Sequence, residues 1–474
     1  MAIKIITPSK IKTKELVFNL KDQQKKELFV QSFDYVPFLF LSKVNTDLGC
    51  TVDPRSVIYV KLHNSRFLPE IELSCYDPIG VFFTDLYPFD HDSLLSIFVK
   101  SNSEMTMPIR MDFRVTQFET IKASDKDFKR SYLIRGILDV DELHYTRYES
   151  RKGTSFNVLK DIALQMNLGW ATNIANSNDE MVWINPSETY IDFIKDTTKR
   201  SYIDDKSFVW TFIDFQYNLT YVNIELELNE NNRDEKQTIT NPQLTKKPEE
   251  QTVDLYLTNN PAFKETNKYI NKFNLINQSF GVNLDKSYRM KSTWYDKNEN
   301  KTYREFLKDL ETEDKDAADK KLINLYDYNS PIYNENINDD YFIGKLDTDN
   351  VHKYYAIAKP INEFNIENIG KMKMIVTLNQ VNFSIKRFQN ARVEIYNIND
   401  MFSKDANEKS PADNINIHLS GYWFVTGINY LYRRTGGTEQ EITLVRRDLD
   451  VDYSIRSDIR KTMNELKPQS TPNK

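Results

Sequence analysis

The chain has 474 residues, a formal net charge of -6, 40% hydrophobic and 13% aromatic side chains, and only 12 glycines. That much large apolar side chain excludes a disordered polymer and is enough for about three domain-sized cores. The mild acidity gives solubility but no counterion-release drive toward nucleic acid, and the scarcity of glycine argues against a phosphate-cradling nucleotide fold.

Residues 1–148 read as a first β-barrel domain. Its opening stretch, MAIKIITPSKIKTKELVFNL, has no apolar run of signal-peptide length, and no nearby stretch approaches the ~20 residues of a membrane span. No membrane association is expected. Cys50 and Cys75 define no disulfide framework and read as reduced thiols. Residues 56–62 are β-branched and aromatic, while 68–76 alternate so that Ile71, Leu73 and Cys75 share a face. Asp77-Pro78-Ile79-Gly80 reads as a turn. Strands are also expected at 94–99, 109–118 and 132–138. Many short strands without a helical period predict a barrel or sandwich.

Residues 149–228 read as a small mixed α/β domain. Thr154-Ser155 caps a helix whose apolar side is Phe156, Leu159, Ile162, Ala163 and Met166, ending near Asn167-Leu168-Gly169. A strand at 181–184 follows. Asn185-Pro186-Ser187 is expected to cap a second helix through Tyr190, Phe193, Ile194 and Thr197. Residues 208–215 are expected to be a third helix. The alternation of 222–228 predicts a half-buried strand with Val222, Ile224, Leu226 and Leu228 facing one way and Asn223, Glu225 and Glu227 the other.

Residues 229–252 carry almost no large apolar side chain and read as a linker. Residues 253–460 read as a second β-barrel domain. Its expected strands are 253–258, 372–378, 391–396, 422–432 and 440–446, the last two joined at Gly436-Gly437. Asn260-Pro261 could start a helix. Polar insertions are expected at 296–340 and 399–415. The first contains Tyr303, Phe306, Leu307 and Leu310 at helical spacing. Residues 461–474 read as a flexible tail. A faint similarity between 66–77 (RFLPEIELSCYD) and 387–397 (RFQNARVEIYN) suggests two related barrels flanking the mixed domain. The fold class is therefore α+β, mainly β.

The search for chemistry returns no catalytic, cofactor-binding or metal-ligating residues. The five histidines, His63, His91, His144, His352 and His418, are not at ligand spacing and accompany no cysteine pair. In Asp90-His91-Asp92, three consecutive side chains cannot converge on one ion, so it reads as a polar loop. No nucleophile elbow or phosphate loop is present. Tyr430-Leu431-Tyr432-Arg433-Arg434 and Arg446-Arg447 are the nearest approach to a nucleic-acid motif. They fit better as hairpin ends, and no specific nucleic-acid binding is expected. Most aromatic residues sit at core periodicity rather than on a ligand-stacking face.

Three stretches, in order, resemble the central hub protein of contractile phage baseplates. This group includes T-even-like hubs, late-control tail proteins and the hub part of type VI spikes. The first stretch is Leu68–Asp77 with Leu94–Ser101. The second is Gly153-Thr154-Ser155-Phe156-Asn157-Val158-Leu159 followed by Gly169-Trp170, Asn173, Asp179, Trp183 and the helix at Tyr190–Ile194. The third is Ser420–Ile428 with Thr443-Leu444-Val445-Arg446-Arg447, similar to the closing hairpin of these hubs. The segments 229–252, 296–340 and 399–415 depart from the compact family pattern.

The resemblance implies a non-enzymatic virion protein without cofactors, assembled in the host cytoplasm as a homotrimer. Its implied partners are the tail tube protein, the central spike protein and the wedge proteins of the baseplate. Each subunit would supply two tube-like units around a channel for DNA. An aromatic-rich carbohydrate- or receptor-binding tail protein is the alternative, and a cell-wall hydrolase fused to a tail module is a third reading.

Overall fold

The computed structural model describes residues 4–6, 37–44, 49–77, 92–99, 109–124, 127–204, 207–227, 252–257, 266–277, 290–296, 301–307, 336–338, 352, 354–370, 372–378, 380–382, 385–396, 416, 419–434 and 437–446. In chain order the strands are β1 (Lys4–Ile6), β2 (Phe38–Lys43), β3 (Gly49–Thr51), β4 (Val57–Asn64), β5 (Glu70–Asp77), β6 (Ser93–Val99), β7 (Ile109–Ser124), β8 (Asp127–Leu138) and β9 (Thr146–Gly153). Then come α1 (Ser155–Gln165), β10 (Gly169–Thr172), β11 (Met181–Thr189), α2 (Tyr190–Lys199), β12 (Val209–Ile213) and β13 (Asn218–Asn223). The remainder is β14 (Thr252–Leu257), β15 (Ile270–Asn277), β16 (Met290–Asp296), β17 (Lys301–Leu307), β18 (Asn336–Asn338), α3 (Tyr355–Ile369), β19 (Met372–Leu378), β20 (Asn390–Ile395), β21 (Gly421–Arg433) and β22 (Gly437–Arg446).

The protein is mainly β, as expected, with its strands gathered into large antiparallel sheets. One 13-stranded sheet runs in the order β15-β19-β22-β21-β4-β5-β8-β7-β6-β2-β3, with β20 and β14 attached beside β21. Alternation explains why it forms. Val57, Val60 and Leu62 of β4, Ile71, Leu73 and Cys75 of β5, and Met372, Met374, Val376 and Leu378 of β19 are all buried. Each such side chain contributes roughly 1.5–3 kcal/mol by leaving water. The two β regions thus share one sheet through β4 and β21, and among the described residues no strand set closes into a barrel.

The segment from β9 to β13, joined by the N-terminal β1, forms the mixed unit, whose four-stranded sheet has the order β1-β10-β13-β12. Helix α1 starts where expected: Thr154 is the N-cap and accepts from Asn157 N. The left-handed residue at its end is Asn167 (φ 56°), while Gly169 already belongs to β10. Helix α2 is capped by Thr189 instead of the 185–187 stretch, because β11 continues to Thr189 before the chain turns.

Several expectations are corrected. Residues 208–215 contain a strand, β12, instead of a helix, paired antiparallel with β13. The run is short, β-branched and aromatic, so its apolar content did not distinguish helix from buried strand. The strand expected over 222–228 ends at Asn223, and 224–227 make one helical turn. The Asn223 side chain accepts from Glu225 N at 3.1 Å and bends the chain there. Glu225 and Glu227 are consequently buried and Leu226 exposed, the reverse of the alternation. The segment with Tyr303, Phe306 and Leu307 is strand β17, paired with β16, instead of a helix.

Helix α3 lies where only β structure was expected. Its buried positions Ala358, Asn362, Asn365 and Ile369 have helical spacing, but two of the four are polar, which hides the stripe. The turn at 78–80, the linker up to residue 251, the Asn260-Pro261 start, most of 296–340, the 399–415 insertion and the 461–474 tail lie outside the described residues.

Candidate functional site: the junction of the β regions and the mixed unit

Strand β21 changes partner along one edge. Its first part, Gly421–Phe424, pairs with β20, and its second, Ile428–Arg433, pairs with β4. The ladder to β22 on the other edge shifts register between Val425 and Gly427, a β-bulge at the switch point. Space is tight there: a Cβ on Gly427 would lie 3.1 Å from Ser65 Cβ and 3.4 Å from Thr443 Cβ. A bulge leaves backbone groups off the ladder, and buried ones must find other partners.

Arg387 supplies them. Its guanidinium donates from Nε to Thr426 O at the bulge, from Nη1 to Arg66 O, and from Nη2 to Ser65 O at 3.1 Å. The same group lies 4.1 Å from the centre of the Phe212 ring, 5.2 Å from Phe388 and 5.8 Å from Trp210. One side chain therefore touches β21, the β4–β5 turn and β12 of the mixed unit. Burial alone pushes its pKa down to about 9. The charge is offset by carbonyl dipoles and ring faces rather than by a carboxylate. Phe388 itself has φ 64° and stacks on Phe424 at 5.4 Å, which holds Arg387 in place.

The two stretches whose similarity hinted at a repeat meet at this point, with different roles. Arg66 is exposed and pairs with Glu70 at 2.9 Å, whereas Arg387 is buried. β5 lies between two antiparallel neighbours, while β20 lies between antiparallel β21 and parallel β14. The mixed unit braces the junction further. Ile213 N donates to Phe67 O at 2.8 Å, and Asp112 N on β7 donates to the Tyr217 hydroxyl at 2.9 Å.

A second joint fixes α3 to the mixed unit. Asn362 Oδ1 accepts from Val209 N at 2.9 Å, and Nδ2 donates to Lys199 O at 2.9 Å and Ser201 O at 2.8 Å. One side chain thus serves both the end of α2 and the start of β12, groups that otherwise lack helix or sheet partners. Tyr202 stacks on Tyr354 at 3.8 Å, and the Arg200 guanidinium lies 4.4 Å from the Tyr355 ring. His352 sits beside this joint with its Nε2 3.2 Å from Arg200 O. Burial lowers its pKa to about 4, so the imidazole is neutral at pH 7.

The densest group of potential catalytic side chains is a structural cap. Asp179 is fully buried and accepts from Ser155 N at 2.9 Å, Ser155 Oγ at 2.5 Å, Ser177 Oγ at 2.6 Å and Tyr202 N at 2.9 Å. A carboxylate at the first residue of α1 complements the helix dipole and its free N–H groups. Ser155 faces this carboxylate and the Tyr221 hydroxyl at 2.9 Å, and among the described residues no imidazole lies in hydrogen-bond reach to act as its base.

The remaining chemistry-bearing residues are separated. Asp92 pairs with Arg114 at 3.1 Å, and His91 lies outside the described residues. His63 Nδ1 is 3.2 Å from Asn429 Oδ1 across the β4–β21 ladder. Tyr430 and Tyr432 are buried, while Arg433 reaches Glu439 and Arg434 donates to Arg55 O and the Tyr76 hydroxyl. The hairpin reading of this basic stretch therefore holds. Cys50 and Cys75 are free thiols, raised by burial to about 11 and about 12 respectively. Among the described residues no group of three or more His, Cys, Asp or Glu could hold a metal ion. Sequence reasoning missed Arg387 and Asn362. The only available signal was the Arg-Phe pair that opens the second half of the weak repeat.

No protein-family model and no curated protein matches the chain. Among solved structures it is similar to a tail protein from Neisseria meningitidis, with 9% identity and a TM-score of 0.42 over 87% of this chain and 97% of that one. It is also similar to a 43 kDa tail protein of prophage MuSo2 from Shewanella oneidensis, with 9% identity and a TM-score of 0.44 over 87% and 98% of the two chains. A third is an Escherichia coli component of the type VI secretion system, itself described as structurally similar to T4 phage tail proteins. There the identity is 7% and the TM-score 0.38, over 85% and 76% of the chains.

Proposed function

We propose that this chain is a structural subunit of a contractile phage tail: the baseplate central hub, which joins the tail tube to the central spike and lines part of the DNA channel. The observation that carries this reading is the sheet that runs unbroken from one β region into the other through β4 and β21. One chain thereby presents two β units as a single wall, and three copies would surround a channel. The C-terminal unit supports a tube-like reading. Its strands follow one another as β14, β20, β21, β22, β19 and β15, and a single bridge at Tyr256–Tyr269 links β14 back toward β15.

Several charges on the outward face of the sheet are matched across strands, Arg433 with Glu439 and Arg135 with Glu72. A wall of paired charges would neither bind nor strongly repel passing DNA. The partners in this reading are a tube protein on one side, a spike protein on the other, and wedge proteins around them.

The test is the oligomeric state of the purified chain, by light scattering and negative-stain microscopy. A ring-shaped trimer, alone or with its spike partner, is the expected result. A chain that stays monomeric in both conditions overturns the proposal.

A receptor- or carbohydrate-binding role has one observation in its favour. Tyr148 and Ile184, opposite Pro186 and Ser150 on the β9–β11 ribbon, are 84% and 65% exposed. Glycan-array binding that disappears in Tyr148→Ala would favour it.

A further inference from the structure

The β4–β21 ladder has six registered pairs from Tyr59–Arg433 to Asn64–Ile428, as many as β4–β5 and fewer than the nine between β21 and β22. It also carries uncompensated polarity. Among the described residues of the 13-stranded sheet, two buried side-chain atoms have no hydrogen-bond partner, Asn64 Oδ1 and Tyr432 Oη. Asn64 belongs to β4 and Tyr432 to β21, so they mark the two ends of the seam. At its margin sits the buried guanidinium of Arg387, balanced only by carbonyls and rings. An unpaired buried polar group penalises the closed state, because on opening it regains its hydrogen bonds to water. Both atoms register together only in the β4–β21 ladder; β21–β22 shares Tyr432, and β5–β8 has neither.

We propose that the β4–β21 seam is a built-in parting line. The two strands separate while the β unit on each side keeps its core, and Arg387 is the latch that resists the separation. Opening at this line changes the angle between the two β units without unfolding either. It requires release of the Ser65 and Arg66 carbonyls from Arg387, of the His63–Asn429 contact and of Arg434 from Arg55 O and the Tyr76 hydroxyl, and nothing from the Tyr432 hydroxyl. The proposal concerns the isolated chain and does not depend on the hub reading.

Hydrogen–deuterium exchange of the full chain, followed by mass spectrometry, tests it. In a strand with neighbours on both edges, alternate amides point to each neighbour. About half of the amides in 59–64 and 428–433 should therefore exchange at least about tenfold faster than those in 131–137, 372–378 and 440–445, the factor that ~1.4 kcal/mol represents. Tyr432→Phe removes the unpaired hydroxyl alone and should slow the seam amides by about the same factor, leaving 372–378 unchanged. Arg387→Met should accelerate them. Exchange of the seam in step with its neighbouring ladders overturns the proposal. So does a Tyr432→Phe chain whose seam amides are no slower, or which fails to fold. If Arg387→Met does not fold, the comparison of wild type with Tyr432→Phe still decides.

Discussion

Two joints hold this chain together, and each serves stray backbone groups with a different kind of side chain. At the α3 joint, the neutral amide of Asn362 gives both ends of its side chain to backbone groups that helix and sheet leave over. At the β4–β21 joint a buried cation performs that service for the bulge, and the flanking strands keep two oxygens unpartnered. The α3 joint also keeps an unpartnered atom, His352 Nδ1, and a partly satisfied network is where a fold gives way. The comparison is between a joint made by a neutral amide and one made by a buried cation.

Arg387→Met should have the largest effect, because it leaves the Ser65, Arg66 and Thr426 carbonyls without their donor. A loss of ~3–5 kcal/mol is expected in urea unfolding, and separate transitions for the two β regions would sharpen the comparison. Asn362→Leu is nearly isosteric but orphans the carbonyls of Lys199 and Ser201 and the N–H of Val209. It should destabilise by ~2–3 kcal/mol, read as earlier exchange of 190–213 while the seam amides stay as they were. A chain in which both joints loosen together would erase the distinction between them.

Gly427→Ala forces a methyl group between Ser65 and Thr443 and should cost ~1–2 kcal/mol, concentrated at the seam. The smallest effect at neutral pH comes from His352. Its folded pKa of about 4 lies below the ordinary value of 6.5, so between these values the unfolded chain binds more protons than the folded one. Stability is therefore full above pH 6.5 and falls as the pH drops toward 4. The decline should be centred on the α3 joint and flatter in His352→Gln, as circular-dichroism melts from pH 7 to 4 would show. Equal pH sensitivity in wild type and His352→Gln would remove His352 from the account.

The residues that misled prediction share a physical cause. The strands β4, β5 and β19 were legible because each buries one face against a continuous core, and alternation records this directly. β12 was misread because its run is apolar on both faces and lacks a period. The 222–228 stretch alternates in sequence, yet the Asn223 side chain turns it into a helical turn and sends its glutamates inward. In α3 the buried stripe includes Asn362 and Asn365, whose value lies in backbone groups far away in sequence. Arg387 belongs to the same class, since nothing near it in sequence foretells the carbonyls it will meet.

Sequence by itself determined the mainly β character, most strand positions, the α1 and α2 helices with the Thr154 cap, and the resemblance to tail hubs. These depend on short-range patterning and on the order of segments, which the chain carries openly. Only the tertiary structure decided that the two β regions fuse into one sheet, that β21 changes partner at Gly427, and that α3 completes the mixed unit. Each of those depends on pairing between residues hundreds of positions apart, as between Arg66 and Arg387. A strand's edge carries no sequence label for its partner. The choice is made by which buried backbone groups find donors and acceptors once the cores have formed.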